Sequence, residues 1–359
     1  MADLPLQPGS MIGILGGGQL GRMLALAAGR LGFDVVVLER EADSPAGRVC
    51  AHTIVAAYDD AAALAALAAV ADVVTYEFEN VPAAAVASLV GMGVDVAPGP
   101  LALAVAQDRF EEKTFLNANG APTVAFAAAD SPEAAVDAVA RIGAPALMKT
   151  RRDGYDGKGQ RWVEHAADAA RVFAELGSVP VIVEAPADFV RELSVIAARG
   201  RDGATAVYPL AENHHEHGIL RRSLAPARAA PALTEQAERI AARILAGLDY
   251  VGVIGIELFE LSDGRLLVNE IAPRVHNTGH WTQDGCEVDQ FEQHIRAVAG
   301  WPLGPTRAIA QVEMLNLLGD EADTWSKLAA EPETRLHLYG KRAAKPGRKM
   351  GHVNKVRPL

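Results

Sequence analysis

Cysteine is nearly absent. Two residues, Cys50 and Cys286, in a chain of 359 cannot make a disulfide framework or a thiolate metal site, and they predict a reducing, cytosolic (cytoplasmic) setting. No apolar run is long enough to span a bilayer, and residues 1–10 lack the basic start and long apolar core of a secretory leader. The expectation is a soluble, intracellular protein with no membrane partner. A general basic surface is also missing. With 34 Lys and Arg against 45 Asp and Glu, the net charge of −11 is the wrong sign for nucleic-acid binding, which rests on neutralising phosphates. There is no G-x-x-x-x-G-K-[ST] string, which excludes the usual P-loop. Acids are lacking from residues 334–359, where Arg335, Lys341, Arg342, Lys345, Arg348, Lys349, Lys355 and Arg357 accumulate. Such a stretch is either a solvated tail or, because Tyr339, Met350, Val353 and Val356 interleave with the charges, a phosphate-binding face on a folded element.

What is present is ordinary globular material, 50% hydrophobic and long enough for two or three domains. Helical and strand patterns alternate, so the fold class is α/β. A strand at 11–15 leads into Gly16-Gly17-Gly18-Gln19-Leu20-Gly21, a helix to about 31, and a strand at 35–38 ending in Glu39. This is a G-x-G-x-x-G fingerprint in strand-turn-helix context with an acid at the expected distance, which suggests a dinucleotide. Physically it guarantees only a tight turn and free amides at a helix N-terminus, welcome to any phosphate. A helix at 60–71, a strand at 73–76, a helix opened by Pro82 and a strand at 94–97 continue the pattern. Glu77 and Glu79 follow the 73–76 strand, where open α/β sheets bind ligands; they are candidates for a substrate hydroxyl or amine, or helix caps. Pro98-Gly99-Pro100 marks a linker-like break. Asp108 then caps a helix running through Arg109, Glu112 and Lys113 to Asn119-Gly120, and Ser131 to Gly143 brackets another.

The middle of the chain holds a short strand, 146–150, containing Lys149 and opening into residues 151–160. Gly154, Gly157 and Gly159 free the backbone there, while Lys149, Arg151, Arg152 and Lys158 surround it with positive charge. That combination suits a polyphosphate, though a solvated hairpin tip shares the composition. Strands at 161–163 and 181–184 follow. Beyond lie strands at 190–198, 204–208 and 219–224 and a helix at 234–246, with His214, His215 and His217 in the loop after the second strand. Those histidines are a metal cluster, a single ligand contact or surface residues. The most informative geometry is a hairpin over 255–271. With Asp263-Gly264 as a two-residue turn, Glu257 falls opposite Glu270, about 5 Å away, where two carboxylates repel. A magnesium-type cation shared with substrate phosphates would reverse that sign. Asn269 points to the other face unless a bulge intervenes, and a three-residue turn would pair it with Glu257.

Taken together these residues resemble the ATP-grasp superfamily. Within it, residues 16–23, Thr75-Tyr76-Glu77-Phe78-Glu79-Asn80-Val81, Gly154-Tyr155-Asp156-Gly157-Lys158-Gly159-Gln160, Ala272-Pro273-Arg274 with His276-Asn277, and Gly347-Arg348-Lys349-Met350-Gly351-His352 resemble the 5-(carboxyamino)imidazole ribonucleotide synthases of purine biosynthesis. Val275 stands where that family usually has Pro, and Trp281 where it often has Tyr.

The resemblance implies an N-terminal Rossmann-like parallel-sheet domain over 1–107 and a small α/β flap domain over 108–187. It further implies an α+β nucleotide and metal domain over 188–300 and a small basic, β-rich element over 301–359. The implied activity is a ligase carrying out ATP-dependent carboxylation of 5-aminoimidazole ribonucleotide by bicarbonate through carboxyphosphate, with ATP and Mg2+, in a homodimer. Arg109 and Lys149 would contact ATP phosphates, residues 154–160 would form the flap, Glu184, Ala185, Pro186 and Ala187 would meet the adenine, and Glu192 the ribose. His215 and Asn269 would also contact ATP, and Glu257 and Glu270 would hold the metal. Gly18, Gln19, Leu20, Glu77, Arg274, His276, Asn277, Lys341 and Arg348 would face the ribonucleotide, with Tyr155, Asp156, Arg274 and Lys341 the catalytic candidates. Alternatives are another ATP-grasp ligase, a formate-dependent ribonucleotide transformylase or, from the N-terminal fingerprint, a dinucleotide-dependent oxidoreductase.

Overall fold

Apolar strands alternating with capped helices build three sheets in a computed structural model that describes residues 4–154 and 158–359; Tyr155, Asp156 and Gly157 lie outside the described residues. The first sheet is parallel, with β1 (Met11–Leu15), β2 (Asp34–Glu39), β3 (His52–Val55) and β4 (Val73–Tyr76) in the order β3-β2-β1-β4. Its central strands are buried on both faces, as runs such as Val-Val-Val-Leu require. Helices α1 (Gln19–Arg30), α2 (Ala61–Ala68) and α3 (Ala83–Gly91) cover it, and Asp60 caps α2 through the Ala63 N–H at 2.8 Å. Residues 94–97 do not form the expected strand. They give one parallel bridge, Val74 to Val96, because the chain turns away immediately afterwards.

The expected linker is also corrected. Pro98-Gly99-Pro100 starts a helix, α4 (Pro100–Ala106), with Gly99 as N-cap and Pro100 in the first turn, where its missing N–H is harmless. Asp108 then caps α5 (Arg109–Ala118), accepting from Phe110 N–H at 3.0 Å.

The second sheet is antiparallel: β5 (Phe126–Ala129), β6 (Ala146–Thr150), β7 (Gln160–Val163) and β8 (Val181–Glu184) in the order β5-β8-β6-β7. Two helices, α6 (Pro132–Ile142) and α7 (Ala169–Glu175), pack on one face. The third sheet has nine strands. β9 (Phe189–Arg199), β10 (Thr205–Val207), β11 (Ala211–Glu216), β12 (Ile219–Ala225), β13 (Gly252–Leu261) and β14 (Leu266–Ala272) are joined by β15 (Gln311–Leu318), β16 (Thr334–Leu338) and β17 (Lys349–Arg357). The order is β14-β13-β9-β11-β12-β15-β17-β16, with β10 beside β9. The acid-free C-terminal stretch is therefore folded into this sheet, and its Tyr339 and Val353 are buried. His214 and His215 lie on β11, not in a loop. Helix α8 (Pro231–Gly247) covers one face, with α9 (Thr282–Gly285) and α10 (Gln290–Val298) toward the first sheet. Among the described residues no helix is long and apolar enough to cross a membrane.

The β13–β14 hairpin combines two departures that cancel. Leu261 N–H donates to Arg265 O at 2.9 Å, so the turn has three residues and the register slips by one, to Phe259 opposite Leu267 and Leu258 opposite Val268. A bulge then inserts Asn269, and Glu257 again meets Glu270.

Candidate active site

The three sheets enclose a cleft of about 670 Å³, and Glu257 and Glu270 stand in its wall. The bulge turns Asn269 to the same side, where its Nδ2 donates to Glu257 Oε2 at 3.4 Å. Burial, then the facing Glu270 charge, raises Glu257 well above the usual carboxylate range. Burial would raise Glu270 too, but Arg109, whose Nη1 lies 2.9 Å from Glu270 Oε2, holds it low. Two acids kept together under such repulsion form a donor set that a cation would relieve. Among the described residues, no cluster of three or more His, Cys, Asp or Glu is placed to hold a metal. Two carboxylates leaving the remaining positions to phosphates and water fit magnesium, which rarely uses an all-protein cage.

Positive charge converges on the same wall. Arg109 Nη2 also donates to Gly154 O at 3.1 Å, tying α5 to the glycine-rich loop. Lys149 Nζ pairs with Glu184 Oε2 at 2.8 Å, and Lys113 Nζ lies 3.6 Å from Glu184 Oε1. Glu184, at the end of β8, thus holds two lysines rather than facing the cleft, and neither it nor Ala185, Pro186 or Ala187 belongs to the lining. Leu147, Leu220 and Phe259 supply an apolar wall beside Glu192 and His215. His215 Nδ1 bonds Glu192, which holds the imidazole above its ordinary value against the effect of burial. His214 is exposed and His217 sits in a turn, so the three histidines form no common site. Gly154 and Gln160 line the cleft, whereas Lys158 and Gly159 do not; Gly159 has φ +72° and packs on Thr150.

Across the cleft, Arg274 is paired with Glu79, and Gln107 Nε2 pins that turn through Glu79 O at 2.8 Å and Val81 O at 2.7 Å. His276 accepts or donates at Thr278 Oγ1, 2.8 Å from Nδ1, and its Nε2 is 3.8 Å from Glu257 Oε1. Burial, followed by Arg274, pushes its pKa down to about 3, so it is neutral. Both amide atoms of Asn277 are buried without a hydrogen-bond partner among the described residues. Such a group on a cleft wall is one that a ligand or an ordered water would satisfy.

The N-terminal glycine loop is closed by the protein itself. Glu77 accepts from Gly18 N–H and, at 2.6 Å, from Gly21 N–H, while Glu39 accepts from Gly17 N–H at 2.6 Å. Gly16, at φ +105°, leaves no room for a side chain beside Glu77. The amides that would cradle a pyrophosphate are taken, and the acid that would bind a ribose faces its own loop. The dinucleotide expectation therefore fails. Gln19, Leu20 and Glu77 still line the cleft. Lys341 donates to Lys349 O at 2.8 Å, and Arg348 Nη1 to Ala343 O at 3.0 Å. Of the basic tail, Lys349 reaches the lining, while Lys341 and Arg348 stand outside it, as Gly18 does. Burial, followed by Arg348, pulls Lys341 down to about 8.

Glu112, Leu147 and Phe259 line the cleft and Lys113 stands behind it, none of them expected there from sequence. Glu112 and Lys113 carried a signal in their spacing from Arg109, which puts all three on one helix face. The apolar pair carried none.

Residues 114–291 match the ATP-grasp domain family, residues 10–107 the ribonucleotide synthetase preATP-grasp domain, and residues 313–358 the phosphoribosylaminoimidazole carboxylase C-terminal domain. The chain is 50% identical over 360 residues to an N5-carboxyaminoimidazole ribonucleotide synthase of Brucella melitensis, covering 100% of this chain and 99% of that protein. A crystal structure of an N5-carboxyaminoimidazole ribonucleotide synthetase in complex with ADP is similar at a TM-score of 0.94 and 40% identity, covering 98% of this chain and 93% of that one. The Aspergillus clavatus synthase, crystallised with ADP and 5-aminoimidazole ribonucleotide, is similar at a TM-score of 0.91 and 32% identity, covering 98% and 95%.

Proposed function

The chain belongs to the N5-carboxyaminoimidazole ribonucleotide synthases, ATP-grasp ligases of purine biosynthesis, and from that premise we propose how its residues divide the work. The reaction is the ATP-dependent carboxylation of 5-aminoimidazole ribonucleotide to the N5-carboxyamino product.

Bicarbonate, the carboxyl donor in this proposal, is a poor electrophile. One of its oxygens attacks the γ-phosphorus of ATP, the bond to ADP breaks, and carboxyphosphate forms. The exocyclic amine of the ribonucleotide then takes the carboxyl carbon as phosphate leaves. Positioning and charge neutralisation carry such a phosphoryl transfer, and the site is rich in both. Arg109 and Lys149 meet the phosphates; Glu192 and His215 orient the ribose; Leu147 and Phe259 flank the base. Glu257 and Glu270, with Asn269 beside them, would hold Mg2+, which when bound would neutralise phosphate charge. Arg274, His276 and Asn277 face the second substrate, with Gln19, Leu20 and Glu77 on its N-terminal side and Lys341 and Arg348 toward its phosphate. A glycine-rich loop following Thr150 would exclude water from the activated carboxyl; the catalytic roles expected of Tyr155 and Asp156 fall outside the described residues. We place the enzyme in the cytoplasm, as a homodimer, following the family resemblance, and the two unpaired cysteines are compatible with a reducing compartment.

The observation that carries this division is the convergence of the Glu257–Glu270 pair, Arg109, Lys149 and the unsatisfied Asn277 on one cleft. The test is ADP release with each substrate omitted in turn. Release that requires both bicarbonate and 5-aminoimidazole ribonucleotide supports it; formate replacing bicarbonate would overturn it.

A further inference from the structure

Strand β14 is the edge of its sheet, so its outward backbone groups find partners other than a strand: the Val268 N–H donates to Pro122 O at 2.7 Å. The two that flank Glu270 are taken by side chains of α5. Glu112 Oε1 accepts from the Ile271 N–H at 2.6 Å, and Lys113 Nζ donates to the Asn269 carbonyl at 2.9 Å. Both side chains are almost completely buried. The Asn269 carbonyl belongs to the bulged residue, the one whose insertion returns Glu270 to a position opposite Glu257. Three residues earlier on the same helix face, Arg109 holds the Glu270 carboxylate itself. One helix, more than 150 residues away in sequence, therefore grips Glu270 by its side chain and by the backbone on either side.

We propose that Glu112 and Lys113 are positioning residues for the metal site: they lock the bulge at Asn269 and thereby set the Glu270 carboxylate against that of Glu257. Both act through the strand: Glu112 borders the cleft and Lys113 lies outside its lining. The proposal rests on the assignment of Glu257 and Glu270 as the Mg2+ carboxylates. A bulge is a local irregularity that a ladder by itself does not enforce, and an edge strand has a partner strand on one side only to hold its register. A slip of one residue would send Glu270 to the opposite face.

The test is the Kd of the full chain for Mg2+ with ADP bound, read by titration calorimetry without turnover, beside the Mg2+ concentration giving half-maximal ADP release and the KM for the ribonucleotide. Losing a group that orients a metal ligand lowers metal affinity typically about 10–100-fold. Glu112→Leu, which leaves the Ile271 N–H without an acceptor, is expected to raise that Kd and the half-saturating Mg2+ at least about tenfold while the ribonucleotide KM stays within about twofold. Glu112→Gln keeps an acceptor oxygen and is expected to recover most of that loss. Lys113→Met gives a second reading if the leucine variant does not fold, with the same rise in Mg2+ requirement. A Mg2+ Kd within twofold of the parent in the folded variant, failure of glutamine to rescue, or an equal rise in ribonucleotide KM overturns the proposal. Glu270→Gln separates it from its premise. If that variant keeps the parental Mg2+ requirement, the metal assignment itself falls; if it loses turnover while Glu112→Leu behaves as the parent, only the positioning role does.

Discussion

Glu270 is held low by Arg109 on one side and faces Glu257, raised by burial and by the Glu270 charge, on the other, so its charge is already committed to the cleft before any nucleotide arrives. Glu270→Gln removes that charge without changing shape. ATP turnover, followed by ADP release, should fall by on the order of 10²–10³-fold, with circular dichroism unchanged because the side chain is 39% open to the cleft and supports no core. Near-normal turnover would remove the metal assignment. Lys341 offers a pH test. Burial brings its ammonium down to about 8, so it is charged at pH 7 and loses its proton as pH rises past that value. A phosphate partner needs the charged form. The KM for 5-aminoimidazole ribonucleotide should therefore climb above pH 8, and Lys341→Met should show a high KM with that pH step missing.

At the level of elements, the loop between β6 and β7 depends on a residue that only glycine suits. Gly159 has φ +72°, and a Cβ there would lie 2.7 Å from Thr150 Oγ1. Gly159→Ala should destabilise this hairpin by about 1–2 kcal/mol from backbone conformation alone, and more once the contact with Thr150 is relieved by moving the loop. Denaturant midpoints and the ratio of ATP hydrolysed to ribonucleotide carboxylated would read it, since a displaced loop lets water reach the activated carboxyl. Unchanged coupling would show that the loop does not seal the site. The β13–β14 hairpin makes a different point about elements. Its strands and its acids are legible in the apolar residues and in Asp263-Gly264, which leave a three-residue turn and a bulge at Asn269 open as separate alternatives; the structure has both at once, and together they keep Glu257 opposite Glu270. Turn chemistry alone does not choose between two- and three-residue loops when the strand beyond can absorb the difference.

The whole molecule keeps several histidines neutral inside its packed core. His280, His294 and His352 are fully buried, and burial pulls all three below their ordinary value, His294 to about 3. Their folded-state pKa values are depressed, so the unfolded chain binds more protons, and stability is fully present above the unfolded value of about 6.5 and lost as pH falls below it. Each would cost up to about 2 kcal/mol of stability between pH 6.5 and pH 5. Urea midpoints at pH 8 and pH 5 should differ accordingly, and His294→Asn, which abolishes one titration, should narrow the gap. A midpoint independent of pH over that range would refute the argument.

Much of this molecule was written locally. Runs such as 11–15, 73–76 and 181–184 are strands because their apolar, β-branched residues suit a buried ladder, and Asp60, Asp108 and Ser131 start helices by accepting the first free N–H groups. The ordered motifs pointed to the family for the same reason, since each is a short string with its own chemistry. Contacts between distant segments lay beyond such strings. That Glu39 and Glu77 close the glycine loop, that Glu184 pairs with two lysines, that residues 311–357 extend the central sheet, and that α5 grips the strand carrying Glu270 are decided by packing between segments tens to hundreds of residues apart. Spacing along a chain encodes which face a side chain takes; only the assembled sheets determine what that face meets.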